Sequence, residues 1–335
     1  VVQAKKDKQA RIIGTGSYLP EKILSNHDLE QMVETSDEWI TTRTGIKERR
    51  LAHSQEFTSD MGVQAAHKAL AAAGKQASEI DLILVATLTP DFIFPSTAAL
   101  IQHALKAPQA AAFDFQAACT GYLYGLSIAK GYIEAGLYKN ILLIASEKLS
   151  SIVNYQDRNT CVLFGDGAAA CVISDEGVGF TIQEVCLGAD GELAKLLIQP
   201  AGGCRKPASM ETVLNHEHCI AMDGKEVFKH AVRRMENAAK ECLVKAGLCE
   251  EAIGWLIPHQ ANERIIDAIA KRFGIAEEKV YKTVHKYGNT SASAVAIALD
   301  ELISEKPIQI GENVLLVAFG AGFTWGAAIL SKQER

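Results

Sequence analysis

Phe164-Gly165-Asp166-Gly167-Ala168-Ala169-Ala170-Cys171-Val172-Ile173 recurs in outline as Phe319-Gly320-Ala321-Gly322-Phe323-Thr324-Trp325-Gly326-Ala327-Ala328-Ile329-Leu330. Each copy sets a glycine-framed turn between apolar runs rich in small and β-branched residues. Cys161 to Phe164 and Ala168 to Ile173 are read as strands flanking the first turn, and Val314 to Phe319 as the strand before the second. Strand, glycine turn, strand then closes each half of the chain. The expectation is a duplicated α/β unit, with halves 1–180 and 181–335 joined near Gly177 to Gln183. No Pro- or Ser-rich linker separates them, so they should pack as one body.

The neighbouring segments support the same class. Leu82 to Ala86, Ala111 to Phe115, Ile141 to Ala145 and Trp255 to Pro258 are short apolar runs of strand length. A helix is predicted from about Thr120 to Ala135 and another from Ser291 to Ile303. Glu226 to Ala246 carries Phe228, Ala231, Val232, Met235, Ala239, Cys242, Leu243 and Ala246 on one face, and Gly247 should stop that helix. Alternation of strand and helix predicts a layered α/β fold.

The 335 residues are 48% hydrophobic and 22% charged, ordinary for a globular protein. Lys and Arg number 34 against 40 Asp and Glu, a net charge of −6, which argues against a general nucleic-acid binder. No apolar run approaches the ~20 residues that span a bilayer, so no membrane insertion is expected. Val1 to Arg11 is polar and basic, unlike a secretory signal, and the absent initiator Met is consistent with a processed end.

Eight cysteines without a C-x-x-C pair, in a long apolar chain, are read as reduced thiols. Asn215-His216-Glu217-His218-Cys219 has metal-like residues but no second ligand pair at a zinc spacing, and is read as a polar surface loop. Gly14-Thr15-Gly16 lacks the third glycine and the helix of a dinucleotide fingerprint.

Four signals carry chemistry. Cys119 follows the strand Ala111 to Phe115 and opens a helix, where backbone N–H groups and the helix dipole should lower a thiol pKa. His259, in Pro258-His259-Gln260-Ala261-Asn262, stands just past a strand end, where ligand groups gather in α/β sheets. Asn289, in Gly288-Asn289-Thr290-Ser291, precedes a helix and also suits a simple cap. Gly320-Ala321-Gly322 offers backbone N–H donors of the oxyanion-hole kind, or is a tight turn. Cys, His and Asn suit acyl transfer. Papain-like proteases use the same trio, but Ala117-Ala118-Cys119-Thr120-Gly121 lies mid-chain and departs from their signature.

These strings resemble the β-ketoacyl-acyl carrier protein synthase III family of initiating condensing enzymes. The resemblance runs from Ile12 to Leu330 through Gly14-Thr-Gly-Ser-Tyr-Leu-Pro, Thr35-Ser-Asp-Glu-Trp-Ile-Thr-Thr-Arg-Thr-Gly-Ile, Ala118-Cys-Thr-Gly, Phe164-Gly-Asp-Gly-Ala, Pro258-His-Gln-Ala-Asn, Gly288-Asn-Thr-Ser and Phe319-Gly-Ala-Gly-Phe-Thr-Trp-Gly. It implies the thiolase-like fold, a duplicated α-β-α-β-α layered sandwich, and a homodimer. It also implies decarboxylative condensation of a short acyl-CoA with malonyl-acyl carrier protein, without metal or other cofactor. By the same resemblance Cys119 is the acylated nucleophile, and His259 and Asn289 serve the condensation. Cys119 and Gly322 supply the oxyanion hole.

A CoA channel is implied at Trp39, Arg43, Arg158, Gly224, Phe228, Ala261 and Asn262. Phe94 matches a residue that floors the partner's acyl pocket, and Phe319 one beside the nucleophile. One departure is visible: Gly165-Asp-Gly-Ala-Ala-Ala stands where the family more often has Gly-Asp-Gly-Ala-Gly-Ala. A thiolase would show a second Cys near the last glycine turn, and none follows Cys249. A non-catalytic acyl-binding or scaffold subunit would be expected to lose the Cys, His or Asn, and all three are present. An acidic carrier protein needs a basic landing face. Lys225 to Arg272 holds 9 Lys/Arg and 7 Asp/Glu, a net of +2. Lys229 and Arg233 on one helix, with Arg264 and Lys271 on the next, are the expected docking residues. Bacterial cytosol and plastid stroma both suit such an enzyme.

Overall fold

A computed structural model describes residues 8–333. The amino-terminal stretch read above as something other than a signal falls largely outside them. The main strands are β1 (Arg11–Tyr18), β2 (Leu82–Ala86), β3 (Ala111–Phe115), β4 (Asn140–Lys148), β5 (Asp166–Ser174), β6 (Phe180–Ala189), β7 (Ile253–Pro258), β8 (Asn313–Gly320) and β9 (Thr324–Lys332). The helices that matter here are α1 (Asp37–Thr44), α2 (Thr58–Ala73), α3 (Thr97–Ala104), α4 (Gly121–Glu134), α5 (Gly224–Ala246), α6 (Glu263–Arg272) and α7 (Ser293–Glu305). Helix α5 ends at Gly247 with φ +68°, as its pattern predicts.

The strands run in the order β7-β8-β9-β6-β1-β5-β4-β2-β3. From β1 outward, β5 and β4 pair antiparallel, then β2 and β3 add in parallel. From β6 outward the same path recurs: β9 and β8 pair antiparallel and β7 adds in parallel. A parallel bridge from Leu256 to Val280 then stands where β3 stands in the first run. The two runs meet through a short antiparallel pairing of Arg11 and Ile12 with Thr181 and Phe180.

Helix composition determines the layers. α7 buries Ala294, Val295, Ala296, Ile297, Ala298, Leu299 and Leu302, nearly its whole circumference, and α4 buries Tyr122, Leu123, Leu126, Ala129 and Ile133. A helix apolar all round belongs inside, and these two share one core with strand residues of both runs. α2 and α3 cover the outer face of the first run, and α5 and α6 that of the second. The result is the five-layer α-β-α-β-α sandwich. Truncating a central side chain such as Leu126 to Ala should cost about 2–5 kcal/mol.

Gly14 and Gly16 have a packing role. A Cβ on Gly14 would sit 2.4 Å from the Ala73 nitrogen and one on Gly16 2.5 Å from the Ala69 nitrogen, so only glycine lets β1 cross α2 so closely. The first glycine turn differs from expectation. Cys161 ends a short helix, Arg158–Cys161, and Phe164 makes only an isolated bridge to Asn289. No strand runs directly into Gly165; residues 149–165 form an excursion between β4 and β5. The second turn is the expected hairpin, β8 paired with β9 from Gly320 and Thr324 outward.

Candidate active site

Cys119 sits in a tight turn, Ala118–Thr120, that feeds α4. Ala118 has φ +45°, a left-handed conformation unfavourable for a residue with a Cβ and typical of strain held at working sites. Two hydroxyls clamp the turn. Thr120 Oγ1 donates to the Ala117 carbonyl at 2.6 Å and lies 2.7 Å from Thr324 Oγ1, which also reaches the Ala117 and Ala321 carbonyls at 3.1 Å. The Cys119 turn is thereby tied to the hairpin turn of the other half.

His259 follows β7. Its backbone N–H donates to the Val317 carbonyl at 2.7 Å, and its Nδ1 is buried without a hydrogen-bond partner. Asn289 is held by its backbone: its N–H donates to the Leu163 carbonyl at 2.8 Å and its carbonyl accepts from Gly165 at 3.1 Å. Its side-chain Oδ1 accepts the Ser291 N–H at 2.8 Å, which leaves the Nδ2 donors for a ligand.

Cys119, His259 and Asn289, each under a tenth exposed, line one cavity of about 860 Å³. Its walls include Trp39, Arg43, Gly224, Phe228, Ala261, Asn262 and Phe319. Asn262 Nδ2 donates to the Arg43 carbonyl at 3.1 Å, joining α6 to α1. Trp39 lies between two guanidinium groups, Arg43 at 4.6 Å and Arg158 at 4.9 Å from the ring centroid. Arg158 does not line the cavity itself; its Nη1 donates to the Glu34 carbonyl. A smaller cavity of about 120 Å³ also opens on Cys119, walled by Leu88, Leu149, Ile152, Phe164, Leu197 and Ile220.

Burial reverses one expectation. The Cys119 thiol is pushed up to about 12, because desolvation of the thiolate outweighs the hydrogen bonds that favour it. The resting sulfur is a neutral thiol. Burial also lowers His259 to about 4, so its imidazole is neutral at physiological pH.

The turn residue beside Cys119 also differs. A Cβ on Gly320 would lie 2.7 Å from the Cys119 nitrogen, and Ala321 lines the smaller cavity with Cys119. Gly322, the residue expected there, has φ +139° and lies against Thr324, lining neither cavity.

Phe94 is 84% exposed, beside Phe92 and Ile93, and lines neither cavity of its own chain. Lys229, Arg233, Arg264 and Lys271 are exposed on α5 and α6; Lys229 pairs with Glu226 at 2.7 Å and Arg264 Nη2 donates to the Thr42 carbonyl at 3.1 Å. Sequence reasoning missed Lys195, Lys225, Asn159 and Asp223 in the large cavity, and Ser291 and Glu147 behind the sulfur. Ser291 lay within a quoted motif; nothing local to Glu147 marks it. Among the described residues no group of three or more His, Cys, Asp or Glu could hold a metal ion, and no helix is long and apolar enough to cross a membrane.

A sandwich traced twice, whose halves meet at a buried thiol under a long cavity, is the plan of the thiolase-fold condensing acyltransferases. The comparisons narrow this. Residues 113–191 match the family "3-Oxoacyl-[acyl-carrier-protein (ACP)] synthase III", and residues 243–332 match its C-terminal region. A Chlamydia caviae protein named beta-ketoacyl-[acyl-carrier-protein] synthase III is 62% identical over 98% of this chain and 99% of its own. One of the same name from Caldanaerobacter subterraneus is 54% identical over 96% and 97%. The crystal structure of 3-oxoacyl-[acyl-carrier-protein] synthase III from Aquifex aeolicus superposes with a TM-score of 0.89, at 48% identity, covering 96% of this chain and 99% of that one. The chain belongs to the β-ketoacyl-[acyl-carrier-protein] synthase III family.

Proposed function

We propose that the protein joins a short acyl group from acyl-CoA to malonyl-acyl carrier protein, releasing CoA and CO₂ and yielding 3-oxoacyl-acyl carrier protein. The observation that carries this is the meeting of Cys119, His259 and Asn289 in one cavity. Cys119 sulfur attacks the thioester carbon as its proton passes to neutral His259. The tetrahedral oxyanion accepts hydrogen bonds from the Cys119 N–H and from an N–H of the Gly320–Ala321 turn, each worth about 3 kcal/mol. CoA sulfur leaves with the proton from His259, and the acyl group stays on Cys119. The acyl chain occupies the 120 Å³ apolar cavity, which suits a few carbons.

The CoA moiety fills the larger cavity, with Trp39 and its two arginines presenting a flat cationic platform at the mouth. Malonyl-carrier protein follows. Loss of CO₂ leaves negative charge on the thioester oxygen, and Asn289 Nδ2 donates to it together with His259, now in the tautomer that carries the ring proton on the cavity-facing nitrogen. The carbanion then attacks acyl-Cys119. Fixed N–H donors meet both developing charges, so the cycle needs no metal.

The carrier protein docks on the basic face of Lys229, Arg233, Arg264 and Lys271, on two helices packed side by side. A second copy of the chain covers the free edge of β3, where Phe113 is 37% exposed, and the exposed Phe92-Ile93-Phe94 segment reaches into it. The units of the duplication divide at residue 180, and the enzyme works in the bacterial cytosol.

Incubation with an acyl-CoA should add the acyl mass to the peptide holding Cys119, and malonyl-carrier protein should then remove it with release of CO₂. A wild-type protein that never acquires that mass, or a Cys119→Ala variant that still condenses, refutes this function.

A further inference from the structure

Behind the nucleophile lies a polar pair that the chemistry above leaves unused. Glu147, near the end of β4, is 0% exposed and is held, among the described residues, by neutral donors. It accepts from the hydroxyls of Thr87 at 3.1 Å and Thr89 at 2.7 Å and from the N–H groups of Leu88 at 3.1 Å and Thr89 at 3.2 Å. Ser291 is 1% exposed and takes φ +53°, and its buried Oγ has no partner at full hydrogen-bond geometry but stands within reach of both the Cys119 sulfur and the Glu147 carboxylate. An unpaired buried hydroxyl costs free energy that a structure tolerates where the group has another use.

The packing brings both to Cys119. A Cβ on Gly121 would lie 2.9 Å from Ala86 Cβ and 3.1 Å from Ala292 Cβ, so the segments carrying Thr87, Ser291 and Cys119 converge at one point. Leu88, Cys119 and Ser291 wall the same small cavity.

We propose that Ser291 and Glu147 are positioning residues that set the charge of the nucleophile from behind, Ser291 by donating to the sulfur as it becomes thiolate and Glu147 by opposing that charge when ionised. The inference rests on Cys119 being the nucleophile. Glu147 is pushed up by burial to about 7, so at neutral pH it exchanges between a carboxylate that repels the thiolate and an acid that does not. The neighbouring charges on its own and the next strand are otherwise engaged. Lys148 Nζ is held by the His53 and Glu56 carbonyls, and Asp166 is engaged by Ser150 and the Ala52 N–H. His259 is neutral.

The test is the rate of Cys119 alkylation by iodoacetamide against pH, read by peptide mass spectrometry on the full chain without substrate. Glu147→Gln removes the charge and keeps an acceptor; its alkylation should rise about tenfold at pH 9, where the wild-type carboxylate is ionised, an apparent pKa fall of about one unit, and only about twofold at pH 7, where that carboxylate is half protonated. Ser291→Gly removes the hydroxyl and suits the positive φ; its alkylation should fall about threefold to tenfold. Each variant is first checked for a native unfolding midpoint. If Ser291→Gly does not fold, Ser291→Ala, which removes only the hydroxyl, is read in its place and must show the same fall; if Glu147→Gln does not fold, Glu147→Asp, which retains the charge, must show the wild-type profile and Thr89→Val, which strips one donor from the carboxylate, must shift its acid limb. Profiles that shift in the same direction, or stay on the wild type, overturn the inference. Failure of the wild type to be acylated by acyl-CoA would instead overturn the proposed function.

Discussion

In the first half the helix after the third strand opens just behind Cys119; in the second half the helix in the same topological place opens just behind Asn289. The second strand of one half runs into Thr87 and that of the other into His259. The fourth strands differ too: Glu147 lies near the end of β4, Phe319 near the end of β8. One chain path therefore presents the same positions twice, with different chemistry. On the proposed chemistry the first copy supplies the sulfur that forms the covalent bond, and the second supplies His259, which carries a proton and donates, and Asn289, which donates. The links diverge in the same way: residues 149–165 carry Arg158 to the Trp39 ring and Phe164 to the cavity walls, whereas the short link from Gly320 lies against the Cys119 backbone.

The largest expected effect separates these roles. Asn289→Ala should slow condensation about 10²- to 10³-fold while acylation of Cys119 by acyl-CoA stays within about threefold. Single-turnover acylation beside steady-state CO₂ release measures both, and equal loss in both would break the division between halves. Next, Gly320→Ala sets a Cβ 3.0 Å from Cys119 Cβ and should cut both steps about 10- to 100-fold, whereas Gly203→Ala, where a Cβ meets nothing within 4 Å, should be neutral.

A smaller effect concerns pH. Burial lowers His259 from 6.5 to about 4, so between those values the unfolded chain binds a proton that the native one does not. Its contribution to stability is whole above pH 6.5 and lost as pH falls towards 4, and condensation should turn down near pH 4. Unfolding midpoints from pH 4 to 8 should lose that acid limb in His259→Gln. The smallest effect lies at the surface: Arg264→Glu should raise KM for malonyl-carrier protein about fivefold and leave the acyl-CoA step unchanged.

Much of this comparison was legible beforehand because it rests on local pattern. The apolar runs at Leu82 to Ala86 and Trp255 to Pro258 and the face of α5 gave their elements, because periodicity follows directly from backbone geometry. The echo pointed to duplication, although only its second copy is a hairpin. In the first, what looked like a strand before Gly165 is held by a long-range bridge to Asn289, which local pattern does not report.

By itself the amino-acid sequence determined the strand and helix alternation, the Cys, His and Asn motifs, and the basic faces of two helices. The fold alone decided that the Cys119 thiol is neutral, that Gly320 and Ala321 rather than Gly322 border it, that Trp39 lies between two guanidinium groups, and that Glu147 and Ser291 stand behind the sulfur. Strand and helix follow from neighbours along the chain. Desolvation and contact depend on which distant segments exclude water from one point, and that is settled only when the layers close.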